Sequence, residues 1–297
     1  MVEPVMMAWV VAQTTAPVQE ITLWRAVVIG IVQGLTEFLP ISSTAHVKVV
    51  PVMLGWGDPG VSFTAVIQLG SVGAILWYFW DDLSTVTLKA MRSAFRREFD
   101  APDFRLGLGI VLGTVPIIVI GLFIKLFVPG YDTSVVRSTA VIAITSIVMA
   151  ILLGVAEMLG SRKRDFSSLG LSDGVSVGLA QALALIPGVS RSGSTLTAGL
   201  FLGLKRETAA RFSFLLGMPA ILLSGLVSIS DVIGSDSRVA LVPLLAGLLA
   251  AIVSSYLAIA WLIDFLKKHS TWVFVWYRLA FGAVILIAIA TQTLENI

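Results

Sequence analysis

The stretch QGLTEFLPISSTAH, Gln33–His46, decides the fold. It continues WRAVVIGIV, which reads as an ordinary membrane helix, yet it brings a carboxylate, a proline, a hydroxyl triplet and an imidazole where apolar residues should follow. A second interruption of this kind, PGVSRSGST, occupies Pro187–Thr195. Polar and ionisable groups at membrane depth are costly and mark function by default. The two breaks therefore organise the reading of everything around them.

The surroundings are a membrane protein's. Of the 297 residues, 57% are hydrophobic and 13% charged, and the mean hydropathy is +0.95; soluble domains carry about 25% charged residues. Apolar residues come in continuous runs of about 20, long enough to cross about 30 Å of hydrocarbon. A β-barrel would alternate instead. The chain has no cysteine, which excludes disulfides and thiolate metal sites. Nothing points to nucleic acid. The start, MVEPVMMAWVVAQTTA, has Glu3 and no basic residue before Arg25, a poor signal peptide. Residues 1–20 read as an extension with little functional content.

Six stretches suit full spans: 61–80, 106–128, 138–160, 208–229, 239–263 and 272–291. Two others, 23–55 and 173–204, contain the breaks. The helix before the second break has about 14 residues and reaches only about 21 Å, so each broken segment reads as a re-entrant helix–loop–helix. Irregular backbone at that depth needs protein or water around it. In this layout the loops 81–105, 161–172, 205–211 and 264–271 share one side, with Arg92, Arg96, Arg97, Arg162, Lys163 and Arg164 among their basic residues. Arg25, Lys48, Arg137 and Arg238 fall on the other. The positive-inside rule makes the first side cytoplasmic and both termini external.

The halves also resemble each other at an offset of about 148: MLGWGDPGVSFTAVIQLGSVGAIL (53–76) lies against FLGLKRETAARFSFLLGMPAILL (201–223). The expected fold is thus an all-α polytopic membrane protein, one integral membrane domain with six transmembrane helices and two re-entrant segments in an inverted repeat. Its repeats are 21–160 and 161–297. Three spans per half invert the second copy, so the breaks enter from opposite faces and meet near the midplane.

Gln33 and Glu37, four apart, share a helix face. Ser42, Ser43 and Thr44 surround the start of the next half-helix; alone they would read as caps. His46 follows Ser43 by three positions, within one turn, so hydroxyl, imidazole and carboxylate together suit nucleophilic or acid–base chemistry, with either Ser43 or His46 attacking. In the second break, hydroxyls and a helix N-terminus offer donors, and Arg191 offers a fork for phosphate oxygens. Carboxylate beside phosphate repels, which calls for a divalent cation. Oxygen ligands from Glu37 and Gln33, with water and phosphate, suit Mg²⁺ or Ca²⁺.

Both motifs resemble, in full, the two signatures of the undecaprenyl-diphosphate phosphatases of the bacitracin-resistance family, and the likeness of layout extends over about residues 22–291. The resemblance places Gln33 and Glu37 on the acidic motif and Ser43 and His46 on a Ser/His pair. It places Arg191 with Ser190, Ser192, Ser194 and Thr195 on the phosphate-holding loop, with Ser42 beside them. It implies removal of the terminal phosphate from a C55 polyprenyl diphosphate in the bacterial cell (inner) membrane, recycling the lipid carrier of cell-wall synthesis and conferring bacitracin resistance. Gln33 stands where many members have Glu, leaving one fewer charge for metal.

A secondary transporter or polyprenyl-phosphate flippase would share the inverted repeat and midplane breaks. Convergence of hydroxyl, imidazole, carboxylate and guanidinium exceeds what binding alone requires and favours hydrolysis. The other lipid-phosphatase family needs two motif histidines, and His269 lies in a Lys-Lys-His-Ser loop far from Arg191. Lipid chain length and homo-oligomerisation are left open by the sequence. Sidedness is testable because the chain lacks cysteine: single cysteines at Asp58 or Asp132 label from outside with an impermeant thiol reagent on intact cells, and those at Ser93 or Ser168 do not. The opposite pattern overturns the topology.

Overall fold

The computed structural model describes residues 21–131, 134–234, 240–294 and 296. The extension 1–20, Asp132 and Arg238 lie outside the described residues. Among those described there are eleven α-helices and no β-strand. They are α1 (Leu23–Phe38), α2 (Ser43–Met53), α3 (Val61–Tyr78), α4 (Trp80–Phe95), α5 (Pro102–Phe127) and α6 (Thr139–Leu159), then α7 (Leu171–Ala182), α8 (Arg191–Phe201), α9 (Arg206–Gly234), α10 (Leu241–Lys268) and α11 (Trp272–Ala290). Five of them, α5, α6, α9, α10 and α11, are individually long and apolar enough to cross a membrane. The bent pair α3–α4 makes up to six.

Local chemistry sets the boundaries. Thr22 Oγ1 accepts from Arg25 N (3.4 Å) at the start of α1, and Ser138 Oγ from Val141 N (3.4 Å) at the start of α6. Pro102 sits in the first turn of α5, where no amide hydrogen is needed. Both expected breaks are present: α1 stops at Phe38 and α2 begins at Ser43, while α7 tightens into a 3₁₀ turn, Leu183–Leu185, before α8 begins at Arg191. One expectation fails. Residues 81–105 are not simply a loop, because α4 fills most of them, meeting α3 at 73°. Its apolar residues follow helical spacing instead of a continuous run, so hydropathy alone missed it.

Small residues let helix backbones close on one another, the usual membrane solution. Gly30 of α1 sits against Gly247 of α10, and Gly34 against Ser254 and Ala251. In the same way, Gly109 and Gly113 of α5 sit against Gly174 and Gly178 of α7. Further pairs are α3 with α9 and α6 with α11. The main apolar core takes in Phe38, the last residue of α1, which meets Phe214 edge-on at 5.3 Å.

The basic loops are tied together. Buried Glu157 accepts hydrogen bonds from Arg206, from Arg162 Nη1 (3.2 Å) and from Thr271 Oγ1 (2.8 Å). Arg164 forks onto Asp173 with two bonds of 2.8 Å, which raises the basicity of its guanidinium. Arg211 pairs with Asp82. The four basic loops are thus held in mutual contact. Ser93, however, is buried, so the cysteine reporter for that loop belongs at exposed Asp100.

Valine at Gly34 or Gly113 would drive a side chain into neighbouring backbone. Overpacking costs about 1–3 kcal/mol even where side chains can yield. Gly34→Val and Gly113→Val should each lower thermal stability in detergent by at least that amount. A melting temperature equal to the parent's would show that these helix pairs are not closely seated.

Candidate active site

The two breaks share an unusual backbone state. Ser42 has φ 75° and ψ 95°, and Ser190 has φ 71° and ψ 116°. These serines stand 148 positions apart, and each immediately precedes a half-helix. Left-handed φ is uncommon for a residue with a Cβ and is found where the surroundings over-determine it. Here the surroundings are specific. Arg278, at 1% exposure, donates from Nη1 to Pro40 O (3.0 Å) and from Nη2 to Gly188 O (2.7 Å) and Val189 O (3.1 Å). Its Nε donates to Ser146 O at 3.2 Å. One guanidinium thus ties both breaks to α6. Ser192 Oγ adds a second tie, donating to Leu39 O at 2.9 Å. Gly188, at φ 87°, lies so close to Thr145 and Ile142 that no side chain fits.

This scaffold brings Glu37 and Arg191 together, 154 residues apart in sequence: Arg191 Nη2 donates to Glu37 Oε1 at 3.3 Å. Glu37 Oε2 accepts from Ser43 Oγ at 2.6 Å and from Gln33 Nε2 at 3.0 Å. Arg191 Nη1 is buried with no hydrogen-bond partner. The guanidinium has room because position 217 on α9 is glycine; a Cβ there would overlap it. A cavity of about 140 Å³ opens at this cluster, lined by Glu37, Ser42, Ser43, Gln68, Ser190 and Arg191 among others.

Other expected site residues lie elsewhere. Gln33 is buried behind Glu37 and does not line the cavity. Ser192 is occupied by Leu39, Ser194 Oγ donates to Arg191 O (3.0 Å), and Thr195 Oγ1 bonds Arg191 O (2.7 Å) and Ser213 Oγ. These hydroxyls shape the loop, and none of the three lines the cavity. Ser190 does both: it lines the cavity and accepts from Gly193 N at 3.1 Å.

His46 is the largest departure. The expected Ser43–His46 pair is not formed, and Ser43 turns to Glu37 instead. His46 Nδ1 lies 2.7 Å from Ser42 O, and Nε2 lies 2.6 Å from Tyr277 Oη. A carbonyl only accepts, so Nδ1 carries the proton, and in the neutral ring Nε2 accepts from the phenol. The ring stacks on Phe281 at 4.4 Å and does not line the cavity. His46 braces the Ser42 carbonyl in its left-handed turn.

Two residues were missed in sequence. Arg278 is the lone cation in WVFVWYRLAFGAVILIAIA, a signal that charge inside a span provides directly. Gln68 sits mid-way along apolar α3, where neither hydropathy nor a motif singles it out.

For a divalent cation the donor set is oxygen-only and contains one carboxylate. Among the described residues no group of three or more His, Cys, Asp or Glu side chains gathers. Such a set fits an ion that keeps most of its water and arrives with phosphate oxygens, as Mg²⁺ does.

The sequence matches the family described as Bacitracin resistance protein BacA over residues 26–284. A protein of Nostoc sp. named undecaprenyl-diphosphatase is 60% identical over 280 residues, covering 94% of this chain and 88% of the relative. One of the same name from Synechococcus elongatus is 62% identical over 278 residues, 93% of this chain and 96% of the relative.

The clamp can be tested through stability. Arg278→Lys keeps the charge but not the planar fork. Loss of even one hydrogen bond to a charged group costs about 1.5–3 kcal/mol. Arg278→Lys should therefore melt earlier in detergent by at least that margin, and Arg278→Met earlier still. A lysine variant as stable as the parent would remove Arg278 as the tie between the breaks.

Proposed function

Because the chain belongs to the bacitracin resistance protein BacA family, we infer that it is a membrane phosphatase that hydrolyses undecaprenyl diphosphate to undecaprenyl phosphate and inorganic phosphate. It thereby returns the lipid carrier to cell-wall synthesis and confers bacitracin resistance. The observation that carries the chemistry is the 2.6 Å hydrogen bond from Ser43 to Glu37 beside the unpartnered Nη1 of Arg191. A buried guanidinium donor without a partner costs stability unless something completes it, and a phosphate oxygen does so with fork geometry. A flippase would need binding only; a hydroxyl held on a carboxylate is the arrangement of an activated nucleophile.

In the proposed reaction Ser43 Oγ attacks the terminal phosphorus while its proton passes to Glu37 Oε2. The bond to the bridging oxygen breaks, and the lipid monophosphate leaves with the electron pair. Water then attacks the phosphoserine, the serine oxygen leaves and takes back a proton, and inorganic phosphate is freed. Arg191 spreads the charge on the transferring phosphoryl group, the main task of a protein in such a step. His46 acts through Ser42, not on the substrate. Glu37, with water and phosphate oxygens, would hold a Mg²⁺ or Ca²⁺ ion, which would supply positive charge for the diphosphate oxygens. Gln33, expected to share the ion, instead orients the carboxylate by donating Nε2 to its Oε2.

The architecture belongs to the same proposal: six spans and two re-entrant segments, with inverted repeats over 21–160 and 161–297. Its support is that exchanging the halves exchanges the helix contacts. The α1–α10 pairing maps onto α7–α5, while α3–α9 and α6–α11 map onto themselves. The charge distribution supports cytoplasmic basic loops, external termini and a cavity opening outward, in a bacterial inner membrane.

Phosphate release from a polyprenyl diphosphate by purified protein in detergent tests this reading. Ser43→Ala and Glu37→Gln should each lower turnover by about 10²–10⁴-fold while eluting as folded protein. His46→Ala should lose less than either, and chelation with EDTA should abolish activity reversibly. Near-normal turnover by Ser43→Ala would reassign the nucleophile, and full activity under thorough chelation would remove the ion.

A further inference from the structure

The cavity has two ends. At one, Gly217 of α9 makes room for the Arg191 guanidinium. Along the same helix Ala220, Ile221 and Ser224 line the cavity, and Ser224 lies seven residues, or about 10 Å, beyond Gly217. There α9 meets α3: Gly225 abuts Leu69, whose chain neighbour Gln68 lines the cavity. Two of its neighbours on α3 are committed elsewhere, with Gly70 against the α10 backbone and Ser71 accepting a 2.9 Å hydrogen bond from Ser255. Gln68 is the exception. Its amide makes no hydrogen bond to any described residue, although it sits within the apolar run AVIQLG. The side chain is half-buried and borders the cavity, so its amide is available to whatever occupies that end.

We propose that Gln68 binds the phosphate that stays on the lipid, the one esterified to the prenyl chain, at the cavity end opposite Arg191. This rests on the phosphatase reading. The phosphorus under attack must lie by Ser43 and Arg191, so the second phosphate extends away from them, toward α3 and α9. A neutral amide suits that task. It donates to phosphate oxygens without competing with Arg191 for Glu37, and its bond strengthens as negative charge gathers on the departing monophosphate. Gly217 to Ser224 also runs away from the basic loops at the start of α9, so the lipid-bearing end points to the face with few cations.

The two products separate the two ends. Inhibition constants are measured for polyprenyl monophosphate and for inorganic phosphate, on the full-length protein in detergent. Gln68→Met, similar in shape but without donors, should raise the constant for the lipid monophosphate about tenfold, as loss of one hydrogen bond to a charged group does. It should leave that for inorganic phosphate within about twofold. The KM for the diphosphate should rise as well. Gln68→Asn, should the methionine variant not fold, keeps the amide but shortens its reach and should shift the same constant in the same direction. Equal changes in both constants, or none, would overturn the assignment. Failure of the parent protein to release phosphate would instead overturn the phosphatase reading.

Discussion

Main-chain carbonyls and amides stranded in an apolar interior must find partners, and each of the two helix breaks strands several. Arg278 answers for both at once. Its planar fork takes carbonyls from Pro40, Gly188 and Val189, while Nε takes Ser146. The partners are carbonyl dipoles, so each guanidinium nitrogen is hydrogen-bonded without an acid to neutralise it. The proposed catalytic groups inherit their geometry from this arrangement. Ser43 and Arg191 each follow directly on a serine whose backbone is fixed by it.

Electrostatics divides the labour between the cations. Every nitrogen of Arg278 is engaged by main chain, and the residue does not line the cavity. Arg191 keeps one nitrogen on Glu37 and one without a partner. The same chemical group is structural in one place and available in the other, and the difference lies entirely in what surrounds it. Glu37 is shared three ways, by Gln33, Ser43 and Arg191. A charge change at Glu37 is therefore felt by hydroxyl and guanidinium together.

Much of this was legible in sequence because the signals are strong. Long apolar runs fixed α5, α6, α10 and α11 to within a few residues at most ends, and Pro-containing polar runs located both breaks. That the two breaks would meet was expected from the layout of three spans per half; the direct pairing of Glu37 with Arg191 was left open by the sequence. What escaped was direction. Sequence spacing put Ser43 and His46 within one turn, but the ring swings toward Tyr277 and Phe281 on α11, over 200 residues away. Ser192, Ser194 and Thr195 belong to the motif, yet their hydroxyls are taken by Leu39, Arg191 and Ser213. Helix α4 hid because its apolar residues form a stripe and not a run.

The paired left-handed serines carry one last implication, about what substitution would tolerate. Glycine would hold φ near 70° with less strain than any residue bearing a Cβ. Serine at both places means that a hydroxyl has been kept where the backbone alone would favour its loss. At Ser190 the reason is internal, since the oxygen caps Gly193. At Ser42 the side chain makes no capping bond and faces the cavity. A glycine exchange at these two positions therefore poses opposite questions: at 190 it removes a helix cap, and at 42 it relaxes the backbone while taking away a cavity-lining hydroxyl that caps no helix.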